Sequence, residues 1–415
     1  MKEIKRLPAI DSTLALAFDG YEFISKRCAR YQTDIFQTRI TLENTICFRG
    51  EEAAKLFYDT NKFSRKDAAP KRVKETLLGE GGVQGLDGEA HRQRKQIFMQ
   101  LMTPERLTAL ADLTEQQWRT YARGWENRSH VILFDEVEEI LCRAVCEWSG
   151  VPLEHKEVAQ HTRELSRMIS GAGRIGPAHW RAKQARNQAE QWISSVIEKI
   201  RTHQLEVPQQ TAAYAFACYK NSAGEPMDIH AATVDLLNVL RPTVAIGRYI
   251  IFAALALHQH PEERSRIRDG GSDYIHLFTQ EVRRFYPFFP FASARTRKEF
   301  DWQGYHFPAG IRVLLDLYGT NHDPDLWERP DEFRPERFSR WTENHFDFIP
   351  QGGGNYDTNH RCAGEWLTIQ LMERSLKFLV NHLTYRVPPQ NLDVSLTLIP
   401  TLPKSHFRIA EVGLL

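Results

Sequence analysis

From about Pro104 to Phe285 the apolar positions recur at helical spacing. Thr103-Pro-Glu opens this region with an N-cap and a proline at the first turn. Pro177 to His203 carries its apolar residues on one face and predicts a long amphipathic helix. Met227 to His260 behaves differently. Leu236, Leu237, Leu240, Val244, Ile246, Ile250, Ile251, Leu255 and Leu257 cover more than one face. At 1.5 Å per residue the run predicts a helix of roughly 50 Å, buried nearly all round. Strand patterns are short: near Thr38–Phe48, near Lys298–Ile311 with a turn at Gln303-Gly304, and at Leu396–Ile409. The fold class is mainly α with a small β portion. No alternating βα units occur, which excludes a doubly wound nucleotide fold. No repeat or linker interrupts residues 1–415, so a single domain is expected.

One stretch breaks the apolar run. In Asp235-Leu-Leu-Asn-Val-Leu-Arg-Pro-Thr-Val-Ala-Ile-Gly247, an arginine and a proline sit where the helix should be most deeply buried. Arg241 carries a charge that is costly to bury without a partner. Pro242 has no N–H for the carbonyl of Asn238 and bends the helix. Asp235 is six residues from Arg241 and off its face.

The 415 residues are 42% hydrophobic, ample for a large core, and the net charge is +1. That balance gives no electrostatic case for nucleic acid or an anionic membrane. The first twenty residues hold only a short apolar stretch before Asp19, neither a secretory signal nor a stable membrane anchor. A soluble cytoplasmic protein is expected. The six cysteines are scattered and form no disulfide framework. Cys142 and Cys146 share a helix face, but no second Cys/His pair accompanies them, and they read as core residues.

The sixth cysteine lies in Phe346–Glu365, "FDFIPQGGGNYDTNHRCAGE", ahead of a helical pattern. A cysteine just before a helix start is well placed to be a thiolate, since the helix N-terminus and nearby cations stabilise the sulfur. No Gly-Lys-Ser/Thr follows the glycines, so a phosphate loop is a weak reading. Glu281-Val-Arg-Arg284 precedes this loop, with Pro330-Asp-Glu-Phe-Arg-Pro-Glu-Arg-Phe338 about fifty residues after it. In this order the three elements resemble the cytochrome P-450 heme-thiolate superfamily. The resemblance implies the cytochrome P-450 fold, a buried Glu281–Arg284–Arg337 cluster, and Cys362 as the axial thiolate of heme b. Such a thiolate pushes electron density onto iron and favours O–O cleavage. His360 falls where the family often places a cation facing a heme propionate. His91 and Lys95, four apart on a predicted helix, match the family's propionate-holding spacing, and Arg65 is a further candidate. For each of these three, an ordinary surface cation is the competing reading. The loop departs from the usual pattern. The family's phenylalanine seven residues before the cysteine is Asn355 here, and Phe348 lies fourteen before it, so the loop is longer. The usual docking of an electron donor beside the thiolate is therefore in doubt.

Ordinary members carry an acid followed by a threonine on the long helix, which deliver protons to bound dioxygen. Arg241-Pro242 stands there instead. Both departures resemble the fatty-acid peroxygenase branch. The resemblance implies that Arg241 binds the carboxylate of a fatty acid. That carboxylate then supplies the missing acid/base function toward hydrogen peroxide, so no redox partner is obligatory. Hydroxylation at the α or β carbon is expected, with terminal alkene formation by decarboxylation as the alternative. Gln84 bears on that choice. Mostly decarboxylating members of the branch tend to carry histidine at this place, and a neutral amide is a poorer proton donor than imidazolium. Leu78, Ile169, Ala172, Phe288 and Phe289 are candidates by resemblance for the channel holding the alkyl tail. Two rivals remain: a reductase-dependent monooxygenase, and a non-catalytic heme-thiolate fatty-acid sensor.

Overall fold

The computed structural model describes residues 2–221 and 223–415. Helices dominate, and the predicted ones form where the pattern places them. Pro104–Trp125 is capped by Thr103, whose hydroxyl accepts from the Arg106 amide. Pro177–Arg201 buries its alanine and isoleucine face.

The run expected to be one rod from Met227 to His260 is two helices, Ile229–Ala245 and Gly247–Gln259. Asp228 caps the first, accepting from the Ala231 amide. The break falls at Ile246, whose amide turns to the Thr243 carbonyl at 3.2 Å instead of the carbonyl of Pro242. A proline one turn earlier, unable to donate and crowding its neighbours, accounts for the local tightening. Together the two helices are long and apolar enough to cross a membrane, but 94% of their most apolar window is buried, as in a core helix.

Among the described residues the β portion is three sheets, of five, three and two strands; the five-stranded one runs in the order Ile35–Ile40, Glu43–Phe48, Arg312–Asp316, Phe291–Thr296, Phe63–Ser64. Within that sheet Glu43–Phe48 pairs with Arg312–Asp316 in parallel, and the other neighbouring strands pair antiparallel. The single strand signal at Thr38–Phe48 is a hairpin, turned at Thr41 and Leu42, both at positive φ. Phe300–Trp302 and Tyr305–Phe307 pair about the expected turn. The C-terminal strand needs correction. It is Arg408–Leu414, not Leu396–Ile409. Pro400 and Pro403 have no N–H for a ladder, and the chain reaches strand geometry only beyond them. Cys142 and Cys146 are fully buried free thiols.

Candidate active site

The cysteine loop is fixed from both sides. Gly352 (φ 92°) and Gly353 are required by close packing: a Cβ on Gly352 would lie 2.8 Å from the Tyr58 hydroxyl, and one on Gly353 2.5 Å from the His345 carbonyl. The lengthened segment folds on its own polar groups. The Asn355 side chain accepts from the Asp357 and Thr358 amides, and Asn359 donates to the Tyr58 carbonyl at 2.8 Å. The Cys362 amide donates to the Gln351 carbonyl at 3.1 Å, and the Glu365–Asn381 helix starts three residues on.

Two carboxylates, each between two guanidinium groups, tie this loop to the Glu262–Phe285 helix. Glu281 takes a two-pronged pair from Arg284, 2.8 Å on each prong, a bond from Arg337 Nε at 3.1 Å and one from the Arg334 amide. Arg284 also donates to the Asn321 carbonyl, and Asn321 Oδ1 accepts from the Ile349 amide at the loop's entrance. The second cluster has no forewarning in the sequence reading. Glu365 pairs with Arg283 at 2.5 Å and with Arg361, next to the cysteine, at 2.6 Å. The one hint of this cluster was Arg283, the first arginine of Glu281-Val-Arg-Arg284, because adjacent helix residues point to different neighbours.

Four nitrogen-bearing side chains gather beside the loop. His91 and Lys95, on the Gly88–Leu101 helix, are both buried, so neither is a surface cation. Lys95 donates to the Asn359 carbonyl and, at 2.9 Å, to that of Arg361. Arg65 lies over the Phe57 ring at 3.9 Å. The His360 ring faces that of His91 at 3.8 Å. Burial depresses them all: Arg65 to about 10, Lys95 to about 8, and His91, with Lys95 adding to the effect, to about 4. Burial first, and then Arg65, hold His360 well below the ordinary imidazole range. Asp87 is the nearby acid, 3.9 Å from His360 and bonded to the Arg65 amide.

Arg241 is buried on the Ile229–Ala245 helix. Nη2 donates to Asn238 Oδ1 at 2.9 Å, Nε has no hydrogen-bond partner, and no carboxylate pairs with it among the described residues. Burial, then the nearby Arg186, pull its pKa down to about 9, while Cys362 acts in the opposite sense. Asp235, the one acid in this helix, is engaged elsewhere, with Arg94 at 2.9 Å and the Val83 amide.

Asn238 went unnoticed in the sequence, yet it links the two residues singled out there. Arginine can only donate, so Asn238 must present its oxygen to Arg241. Its Nδ2 then faces the Leu78 carbonyl at 3.0 Å and Gln84 Oε1 at 3.2 Å. Gln84 is thereby oriented with its own NH2 left as a donor. An Asn238→Leu variant is expected to bind tetradecanoic acid about tenfold more weakly, since Arg241 loses the bond that fixes its rotamer. Calorimetric titration measures this, and unchanged affinity would remove Asn238 from the site.

Below these groups, Leu77, Ile169 and Ala245 form a small buried apolar cluster, with Val73, Leu78, Ala172 and Phe288 packed against it. Four of the five expected tail-channel residues are thus together. Phe289 is the exception: its ring is 43% exposed, edge-on to Phe288 and outside the cluster. Phe288 stacks on Tyr249 at 4.2 Å, and the next residue of the Pro-Phe-Phe-Pro segment points elsewhere. Ala245 was missed; its place four residues after Arg241, on the same helix face, was the signal.

These residues fit a heme. A thiol at a helix start lies close enough to Lys95 and Arg241 to act on both electrostatically. The nitrogen groups beside it outnumber the acids and suit two propionates, and a separate guanidinium without a carboxylate partner among the described residues lies one helical turn before Ala245 of the apolar cluster.

Comparison with known proteins places the chain as a whole. The family description "Cytochrome P450" matches residues 273–404. The structure of cytochrome P450EX alpha (CYP152N1) with myristic acid is 44% identical and superposes with a TM-score of 0.97, covering 100% of both chains. Cytochrome P450SP alpha (CYP152B1) in complex with (R)-ibuprofen is 46% identical, with a TM-score of 0.95 over 98% of this chain and 99% of that one. A variant of cytochrome P450 OleT in complex with arachidonic acid is 37% identical, with a TM-score of 0.97 over 99% of each. With this identity along its whole length, the chain belongs to the CYP152 fatty-acid peroxygenase family of the cytochromes P450.

Proposed function

We propose that this protein uses hydrogen peroxide to hydroxylate medium- and long-chain fatty acids at the α or β carbon, in the cytoplasm and with no obligatory redox partner. The observation that carries this reading is the Arg241 guanidinium, buried one helical turn before Ala245 of the apolar cluster and without a carboxylate partner among the described residues.

Cys362 would ligate heme b and Arg65, His91, Lys95 and His360 would hold its propionates; so bound, the heme would supply the oxidising power and the cleavage of the O–O bond. The chain's residues do the rest. Arg241 binds the fatty-acid carboxylate as a planar fork and regains the counter-charge that burial denies it. So held, the carboxylate accepts a proton from hydrogen peroxide and returns it to the oxygen that departs as water. Pro242 keeps a competing alcohol out of this position. Asn238 fixes the Arg241 fork and the Gln84 amide together. Leu78, Ile169, Ala172, Ala245 and Phe288 take the alkyl tail and exclude water from it. Because the carboxylate end is pinned, the first methylenes are those presented for reaction.

Incubating the heme-loaded protein with tetradecanoic acid and hydrogen peroxide, without reductase, should give 2- or 3-hydroxytetradecanoic acid by gas chromatography–mass spectrometry. Turnover only with a reductase would replace this reading by a conventional monooxygenase. Tight binding without peroxide consumption would replace it by a sensor. Gln84→His should raise the share of terminal alkene several-fold, because an imidazolium donates a proton more readily than an amide. An unchanged product ratio would take Gln84 out of that choice.

A further inference from the structure

Gln351 sits eleven residues before Cys362 and is bonded to it twice. Its backbone carbonyl accepts from the Cys362 amide at 3.1 Å, and its side-chain Nε2 lies 3.7 Å from Cys362 Sγ. An amide can present either end to a neighbour, so the assignment needs an argument, and Arg283 supplies one. Arg283 Nη2 lies 3.1 Å from Gln351 Oε1. A guanidinium has no acceptor, so the oxygen of Gln351 must face it and the NH2 must face the other way. Arg283 cannot swing aside, because Glu365 and Gln280 hold it. The two hydrogens on Nε2 then have two acceptors in reach. One is Thr368 Oγ1 at 3.1 Å, whose own hydrogen goes to the Gly364 carbonyl. The other is the sulfur of Cys362.

We propose that Gln351 is a positioning residue that donates a side-chain hydrogen bond to the Cys362 thiolate, with Arg283 selecting the end of the amide that does so, and that this bond raises the reduction potential of the heme. A hydrogen bond to a ligating sulfur withdraws charge from it and lessens its donation to the metal. The guanidinium behind the amide polarises the donor further. The proposal rests on Cys362 being the axial ligand.

The reduction potential of the heme-loaded protein tests it, by spectroelectrochemical titration at about pH 8, where a carboxylate beside arginine carries no proton. Gln351→Met keeps the length and removes the N–H. Gln351→Glu keeps an oxygen for Arg283, so the loop stays anchored, and puts an acceptor against the sulfur. Both should lower the potential, the second by more. Thr368→Val, which removes only the other partner of the amide, should leave it at the wild-type value. A wild-type potential in Gln351→Glu overturns the proposal even where Gln351→Met fails to hold heme, and so does a fall in Thr368→Val as large as that in Gln351→Met. Failure of the ligand assignment is separable: it would appear as a thiolate-type absorption spectrum surviving in Cys362→Ser.

Discussion

Arg241→Ala should abolish detectable hydroxylation of tetradecanoic acid by hydrogen peroxide. Two losses combine. The carboxylate forfeits a buried ionic partner, and breaking such a pair from one side typically costs about 3–5 kcal/mol. The proton-transfer group also leaves its station, and a positioned acid/base is worth roughly 10²–10⁴ in rate. Together kcat/KM should fall by at least about 10³, a conservative figure because the two effects share one contact. Product analysis reads the loss, and a thermal melt separates it from unfolding. The variant should not melt lower than wild type, since Arg241 is a buried cation without an acid in the free protein. A second control needs no variant: the methyl ester of the same acid, which cannot pair with Arg241, should be left unoxidised by wild type. Hydroxylation of the ester at the rate of the acid would sink the carboxylate-assisted mechanism.

Glu281→Ala should be the most damaging substitution for the fold. The carboxylate is fully buried, and its removal leaves Arg284, also fully buried, and most of Arg337 without a counter-charge. About 3–5 kcal/mol is the expected cost, against a total stability of about 5–15 kcal/mol for a typical protein. The variant should express poorly or hold little heme, seen as a low ratio of Soret to protein absorbance. Arg337→Ala should cost much less. Its Nη atoms bond the Glu328, Arg329 and Glu332 carbonyls near the surface, where water can replace them, and Arg284 remains to neutralise Glu281. Equal damage from the two substitutions would show that loss of charge balance is not what Glu281→Ala does.

These two residues were legible in the sequence for different reasons. Arg241 is visible because it violates a pattern: a cation in an apolar run needs an explanation whatever the fold. Glu281 is visible only as a member of an ordered set with Arg284, Arg337 and Cys362. The helices from Pro104 onward were legible because burial on one face writes a local period. Asn238 and Gln351 were not. An amide in a helix or loop is unremarkable until its neighbours show which end must face which partner, and those neighbours, Gln84 and Arg283, are 154 and 68 residues away. Arg312–Asp316 was missed because a five-residue buried strand has no alternation to betray it. Phe289 falls outside the buried cluster because adjacent phenylalanines look alike in a string and face different surroundings in space.

Arg283 and Arg284 are consecutive residues of one helical turn, yet each serves a different carboxylate: Glu365 at the head of the helix after the cysteine, and Glu281 beneath the Arg334–Arg337 segment. That turn therefore yokes two otherwise separate surface segments. Opening either one pulls on the same backbone that secures the other, so neither can fray alone at low cost. In hydrogen exchange, the amides of Ile349, Cys362 and Arg334 should exchange as one cooperative unit with a common opening free energy. Fuller exposure of the partly buried Cys362 would then require both carboxylate clusters to open, which makes it a sub-global unfolding event rather than a local one.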